Sequence, residues 1–304
     1  MIKKILVPLD GSKLAESALP LASVMAERLK ASVTLIHIIE INAPKTIHGQ
    51  AHLMNKEQAE IYLKHIAETA FPAESIIDYH VHYPGVAVAD VARGLAQHEK
   101  EFDHDLVIMC VHGKGKAVQI MFGNIGQQVV AFGKIPVLIV RPEAEDKQAH
   151  YPFGSLLVPL DHQAEHLISL TWAAEFARAF SGNIHLLMVI PTWETLPGRE
   201  AAASRFLPGS AAKLLDMSVR DAEEYLAKQK ANLEKSGLKV QSTVSRGEPA
   251  KGIERAVRLL KTDLIVMSTH GKSGLSAFWQ GSIAAKVCSR CRIPLLLIPA
   301  AKSN

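Results

Sequence analysis

Cysteine is scarce, with three in 304 residues, an odd number that leaves at least one thiol unpaired within the chain. A chain of this length can bury a core without cystine staples, so the small disulfide-framed secreted class is excluded and a reducing, cytoplasmic setting is expected. Long apolar runs are missing too. Leu295-Leu296-Leu297-Ile298 and its flanks fall well short of the ~18 residues that span a bilayer. No membrane association is expected. The start, Met1-Ile2-Lys3-Lys4-Ile5-Leu6-Val7, imitates a basic leader, but its apolar stretch is short and no cleavage site follows, so it is expected to be a first strand. Aromatics make up 6% and do not interleave with a basic cluster, while the net charge of +4 is spread along the chain. Nucleic acid is thereby excluded as a partner. Three catalytic or phosphate-binding signatures are also absent: a Gly-x-Ser-x-Gly elbow, a dinucleotide glycine fingerprint, and a P-loop, for which Val266 stands where the first glycine is required.

What is present is ordinary globular composition, 48% hydrophobic and 21% charged, in a chain long enough for about two domains. One unit is written twice. Ile5-Leu6-Val7-Pro8-Leu9-Asp10 returns as Leu156-Leu157-Val158-Pro159-Leu160-Asp161, an apolar run stopped by proline and aspartate. Helical spacing follows over 12–30 and 162–180, with Gly182 as the expected stop of the second copy. Short apolar strands are expected at 33–39 and 184–190, then variable loops rich in Pro, Gly, Ala and His at 41–53 and 191–210, then amphipathic helices at 55–70 and 211–236, the latter closed by Gly237. Strands near 79–83 and 240–245, glycine turns at Gly85 and Gly247 and a further helix precede a fourth strand in each half. The last strands are expected at 136–140 and 294–298.

Strands alternating with helices call for a parallel sheet covered on both faces, with its ligand crevice at the carboxyl ends of the strands. At that edge lies the second repeated feature. Ser268-Thr269-His270-Gly271, nine residues and Gly281-Ser282 is matched by Cys110-Val111-His112-Gly113, nine residues and Gly123-Asn124. A glycine loop passing from a strand to a helix start suits a phosphate, because backbone amides approach closely and the helix dipole favours negative charge. Ser282 can cap the helix and add a hydroxyl, Asp161 is an acceptor suited to ribose hydroxyls, and Lys272 and Lys114 add positive charge. The plainer reading is a tight strand-to-helix connection with Ser282 and Asn124 as simple caps.

Both halves resemble domains of the universal stress protein family, whose pattern is Gly, two residues, Gly, nine residues, Gly and Ser or Thr, with a Pro-x-Asp after the first strand. This chain departs at the first glycine, which is Ser268 or Cys110, and at the terminal hydroxyl of the first half, which is Asn124. The resemblance implies two tandem doubly wound domains, 1–142 and 154–300, joined by a linker at 143–153. Each is a five-stranded parallel sheet of the Rossmann-like, adenine nucleotide alpha hydrolase-like kind, with helices on both faces. It implies a stress-response regulator that binds ATP, or ADP or AMP, with Mg²⁺ at the phosphates. The site implied in the second half comprises Pro159, Asp161, Val189, Met267, Ser268, Gly271, Gly281, Ser282 and Ile283. A weaker one comprises Pro8, Asp10, Ile38, Met109, Cys110, Gly113, Gly123, Asn124 and Ile125. The resemblance also implies that the last strands of the two halves pair, so that one chain mimics a dimer, with further association into a homodimer and an unidentified regulatory partner.

The alternatives are a nucleotide-free scaffold whose loops are remnants and a very slow ATPase. No catalytic residue is assigned. Cys288-Ser289-Arg290-Cys291 has metal-ligand spacing but no second pair, and its thiols are expected to be buried. His48 with His52 and His80 with His82 are expected to be solvated or hydrogen-bonded rather than metal-bound. Cys110 beside the first loop is a candidate for oxidation.

Overall fold

A computed structural model describes residues 2–39, 46–47, 50–82, 103–111, 129–130, 134–142, 150–195, 208–269 and 282–300. The first half carries strands β1 (Lys4–Pro8), β2 (Ser32–Ile38), the two-residue β3 (Thr46–Ile47) and β4 (Gln50–Ala51), β5 (Ile77–His82), β6 (Leu106–Cys110) and β7 (Val137–Val140). The second carries β8 (Ser155–Leu160), β9 (Asn183–Ile190), β10 (Val240–Arg246), β11 (Leu264–Thr269) and β12 (Leu295–Pro299). Ile5, Leu6 and Val7, like Leu156, Leu157 and Val158, are fully buried. That burial on successive residues means both faces of the strand are covered, as in a parallel sheet between helical layers.

The described residues form two compact units: one of residues up to Tyr151 with Pro294–Pro299, the other of Pro152–Thr269 with 282–293 and Ala300. In the first unit the strand order is β12-β7-β6-β1-β2-β5, and the five strands from β7 to β5 are parallel. In the second it is β10-β9-β8-β11, parallel throughout. Strand β12, expected as the fifth of the second half, joins the first unit. It runs antiparallel to β7 with Leu295 opposite Ile139, Leu296 opposite Leu138 and Leu297 opposite Val137. This is the pairing of terminal strands that the resemblance implied, and it covers a strand that would otherwise present an open hydrogen-bonding edge. Among the described residues no helix is long and apolar enough to cross a membrane.

The sheets are closed at one end and parted at the other. At the amino-terminal end, Asp105 Oδ2 accepts from the amides of Lys3 and Lys4 at 2.7 and 3.0 Å. Its counterpart Asp263 Oδ2 accepts from Ser155 N–H at 2.9 Å. The Asp105 amide donates to Lys4 O and that of Asp263 to Ser155 O, so Lys4 faces β6 and Ser155 faces β11. Strand geometry alternates these directions residue by residue. Pro8 therefore faces β6, and Pro159 faces β11, each without an N–H to donate. The ladders stop there: β8 leaves β11 after Leu157 opposite Ile265, and β1 leaves β6 after Leu6 opposite Val107. On the other flank the register continues to Leu160 opposite Met188 and to Pro8 opposite Ile36. A gap at the carboxyl edge results, at the point where the strand order reverses.

Several local expectations change. The helix over 12–30 is broken into Lys13–Glu16 and Leu19–Leu29, because Pro20 suits a helix start but not an interior. In the second half a 3₁₀ turn at Ala164–Leu167 precedes helix Ile168–Phe180. The loop at 41–53 contains the small antiparallel pair β3–β4, and the helix expected at 211–236 runs from Pro208 to Glu234. Gly237 ends it with a left-handed φ of 79°. Gly182 is not the left-handed stop; Ser181 is, at φ 55°, as Lys30 is at φ 52° in the first half. Gly182 is needed for close approach, since a Cβ there would lie 2.4 Å from Phe153 O and 2.7 Å from Leu156 Cδ1.

The Gly182→Ala variant should accordingly lose about 2 to 3 kcal/mol of stability through this backbone clash. A urea midpoint matching that of the wild type would contradict the packing.

Candidate functional site

The gap beside β8 gathers side chains from three segments of the second unit. Asp161, just past the strand, accepts from the Gln163 amide at 3.0 Å and holds His166 Nδ1 at 2.8 Å, both through Oδ1. The first bond fixes the turn after Pro159 and the second pins the 3₁₀ turn. Asp161 keeps 46% of its side-chain surface exposed, whereas His166 keeps 10%. An acidic group is thus presented at the rim on a buried support. The carbonyl of His166 accepts from Ser169 Oγ at 2.7 Å and from Ser268 Oγ at 3.1 Å. Ser268 therefore spans the place where β8 and β11 have parted.

Ser268 and Cys110 occupy the position that is glycine in the family pattern, and neither has a positive φ. Both sit within their strands. A side chain is accommodated there without left-handed strain. Met267 and Thr269 are buried. Ser282 caps helix Ile283–Arg290 from extended backbone, its Oγ accepting the Ala285 amide at 3.1 Å. A hydroxyl that accepts this way still has its own proton to donate. Ile283, the first residue of that helix, is 42% exposed. Val189 does not point its side chain freely at the edge: a Cβ on Gly252 of helix Pro249–Leu260 would meet Val189 Cγ2 at 2.8 Å. Only main-chain groups of Val189 are suited to a ligand. Pro159 is half-buried at the end of β8.

The same edge of the first unit is filled by its own chain. Asp10 Oδ1 accepts from both the amide and the hydroxyl of buried Ser12, at 2.9 and 2.6 Å, and Ser12 Oγ caps the next turn by accepting the Ala15 amide. Gly11, with φ 86°, lies under Leu53, whose Cγ would be 2.9 Å from an added Cβ. Gln50 Oε1 accepts the Lys13 amide at 2.7 Å. His37, buried on β2, lies between two carbonyl oxygens, Nδ1 to Leu9 at 2.8 Å and Nε2 to Leu53 at 3.1 Å. Segment 50–53 is thereby tied across the loop that carries Asp10. Ile38 and Met109 are buried, Pro8 half-buried. Burial, followed by the Asp10 charge, pushes the Cys110 thiol up to about 12 against smaller opposing effects of Ser17 and Arg141. Burial thus disfavours the reactive thiolate form of Cys110.

Gly113, Lys114, Gly123, Asn124, Ile125, His112, His270, Gly271, Lys272, Gly281 and His48 lie outside the described residues. Cys288 and Cys291 are buried. The rings of His80 and His82 stand 6.3 Å apart, and that of His52 packs against His37 at 6.0 Å. His166 was missed in the sequence because its role depends on a partner five residues upstream in a turn; a histidine following Pro-x-Asp was the available signal.

Ser268→Gly should not strengthen any ligand contact, since no backbone strain is relieved. It should cost about 1 to 2 kcal/mol, from the lost bond to His166 O and the added strand entropy. A melt unchanged by the substitution would show that the bridge does not hold the edge. Cys110 should resist alkylation at pH 8 in the folded protein and react fully in denaturant, as read by intact mass.

Comparison with known proteins agrees with this architecture. The model of the universal stress protein family matches residues 1–141 and again 152–299. The universal stress protein E homolog of Haemophilus influenzae is 23% identical over 323 residues, an alignment covering 99% of each chain. A universal stress protein of Methanocaldococcus jannaschii is 26% identical over 154 residues, 50% of this chain and 85% of that one. The crystal structure of a universal stress protein from Archaeoglobus fulgidus superposes with a TM-score of 0.67 at 16% identity, covering 99% of this chain and 97% of that one. With the family model matched in both halves and a relative aligned along nearly the whole chain, the chain belongs to the universal stress protein family as a tandem, two-domain member.

Proposed function

We propose that this protein is a cytoplasmic stress-response regulator whose second half binds an adenine nucleotide, ATP foremost, with Mg²⁺ accompanying the phosphates. The observation that carries the reading is the parted β8–β11 edge, with Asp161 half-exposed on it. The chemistry present fits the ligand. Asp161 accepts from ribose hydroxyls beside Pro159 and the main chain of Val189. Met267 and Ser268 lead into the loop of Gly271 and Gly281, and Ser282 with Ile283 opens a helix where amides and a hydroxyl suit phosphate. Ser268 contributes main chain, its hydroxyl being engaged with His166. ADP and AMP would use the same adenosine contacts.

The second reading, a nucleotide-free scaffold, is favoured for the first half alone. There Leu53 covers Gly11, and Gln50 and Leu53 tie segment 50–53 across the loop that carries Asp10. On this view domains 1–142 and 154–300, joined at 143–153, act as an internal pseudo-dimer with one nucleotide site. Occupancy alters the surface offered to a regulatory protein and to a second copy of the chain.

Denaturing the purified protein and weighing what is released should give about one adenine nucleotide per chain, or about one ATP bound per emptied chain on titration. Two would restore the first half, and none would leave the scaffold. Gly281→Asp should weaken ATP binding at least about 100-fold, through charge repulsion and loss of close approach, without lowering the melting temperature. Unaltered affinity in that variant would sink the second-half site.

A further inference from the structure

Helix Pro208–Glu234 brings Tyr225 to the turn that follows β8. Its ring meets that of His162, the residue after Asp161, edge-on with centroids 5.2 Å apart. The phenolic oxygen is shielded from solvent and has no hydrogen-bond partner among the described residues. Burial raises the phenol's pKa, and the Asp161 charge raises it further, so the group is a protonated donor within electrostatic reach of that carboxylate. A buried hydroxyl without a partner is costly to a folded protein.

The duplication shows why this one is orphaned. Tyr62 of helix Lys56–Thr69 and Tyr225 each stand fifteen residues before the first residue of the next strand, Ile77 or Val240. Each is followed by a buried leucine, Leu63 or Leu226, and preceded three residues earlier by a buried alanine, Ala59 or Ala222. In the first half the tyrosine is satisfied within the protein, its hydroxyl donating to Glu16 Oε1 at 3.2 Å. Counted from the shared Pro-x-Asp, the position of Glu16 is Leu167 in the second half, which offers no acceptor side chain. The same tyrosine is thus kept in both copies and has lost its internal acceptor in the one whose strand edge stands open.

We propose that Tyr225 is a specificity-determining residue of the second-half site, its hydroxyl pairing with a ligand hydroxyl that also donates to Asp161. A hydroxyl can both accept from a phenol and donate to a carboxylate, and an adenine nucleotide carries such groups on its ribose. The inference rests on the nucleotide reading and adds to it the recognition of the sugar.

The test is Tyr225→Phe in the full chain, with melting measured without ligand and calorimetric titration of ATP, 2′-deoxy-ATP and 3′-deoxy-ATP into both proteins. The variant is expected to melt at or slightly above the wild-type temperature, because it removes only an unpartnered hydroxyl. ATP binding is expected to weaken about tenfold, and the difference between the two proteins should vanish for the deoxy nucleotide that lacks the partner hydroxyl. Equal ATP affinities would overturn the proposal while leaving the site standing. So would a penalty of the same size with all three nucleotides, or a clear drop in melting temperature, which would mean the hydroxyl is used within the free protein. A wild type that binds no ATP would overturn the nucleotide reading together with this one.

Discussion

Two missing amide protons shape the carboxyl edge of both sheets. Pro8 and Pro159 face the neighbouring strand that each sheet would otherwise bond, and the ladders end within two residues of them. The same strands are clasped at their beginnings by Asp105 and Asp263. A sheet held at one end and released at the other must diverge, and the divergence is aimed by the proline's position in the alternation of the strand. The aspartate two residues later then stands at the mouth of the gap. Strand, proline and aspartate are therefore one device. Its geometry is set by the backbone before any ligand-binding side chain is considered.

What differs between the halves is how the opening is used. In the first, the chain answers its own polar groups: Ser12 serves Asp10, Glu16 serves Tyr62, Gln50 serves the helix start at Lys13, and His37 spans two carbonyls. In the second, His166 and Ser268 brace the edge while Asp161 remains half-exposed. Duplication supplied two copies of one architecture. Segment 50–53, laid over the turn after β1, covers one copy, whereas in the other Asp161, although it too accepts two internal bonds, stands half-exposed at the rim.

The repeated fold was legible because its signals are local: apolar runs ended by Pro-x-Asp, helical spacing after them, and glycines at fixed separation. The family of the chain was legible for the same reason. Gly182 shows where such reading stops. A glycine after a helix suggests a left-handed cap, yet the need here is clearance from Phe153 O, a contact set by a segment distant in sequence. Ser268 is similar, since a hydroxyl in place of glycine has meaning only once His166 O is known to lie across the gap. The plugging of the first half by Leu53 and Gln50 could not be read from a stretch whose composition only announces a loop. The Tyr62 and Tyr225 pair, by contrast, was within reach of a comparison of the two halves residue by residue.

The antiparallel seating of β12 on β7 has a consequence for biosynthesis. Among the described residues, strands β1 to β7 have all been synthesised by Val140, but the strand that covers the outer edge of β7 is Leu295–Pro299, which follows the whole of β8 to β11 in sequence. While the second half is being translated, β7 carries an uncovered row of amides and carbonyls that any extended segment, including the β7 of a neighbouring nascent chain, can pair with. Closure of that edge thus waits until the second half has been made, and during that interval the edge is most open to misassembly.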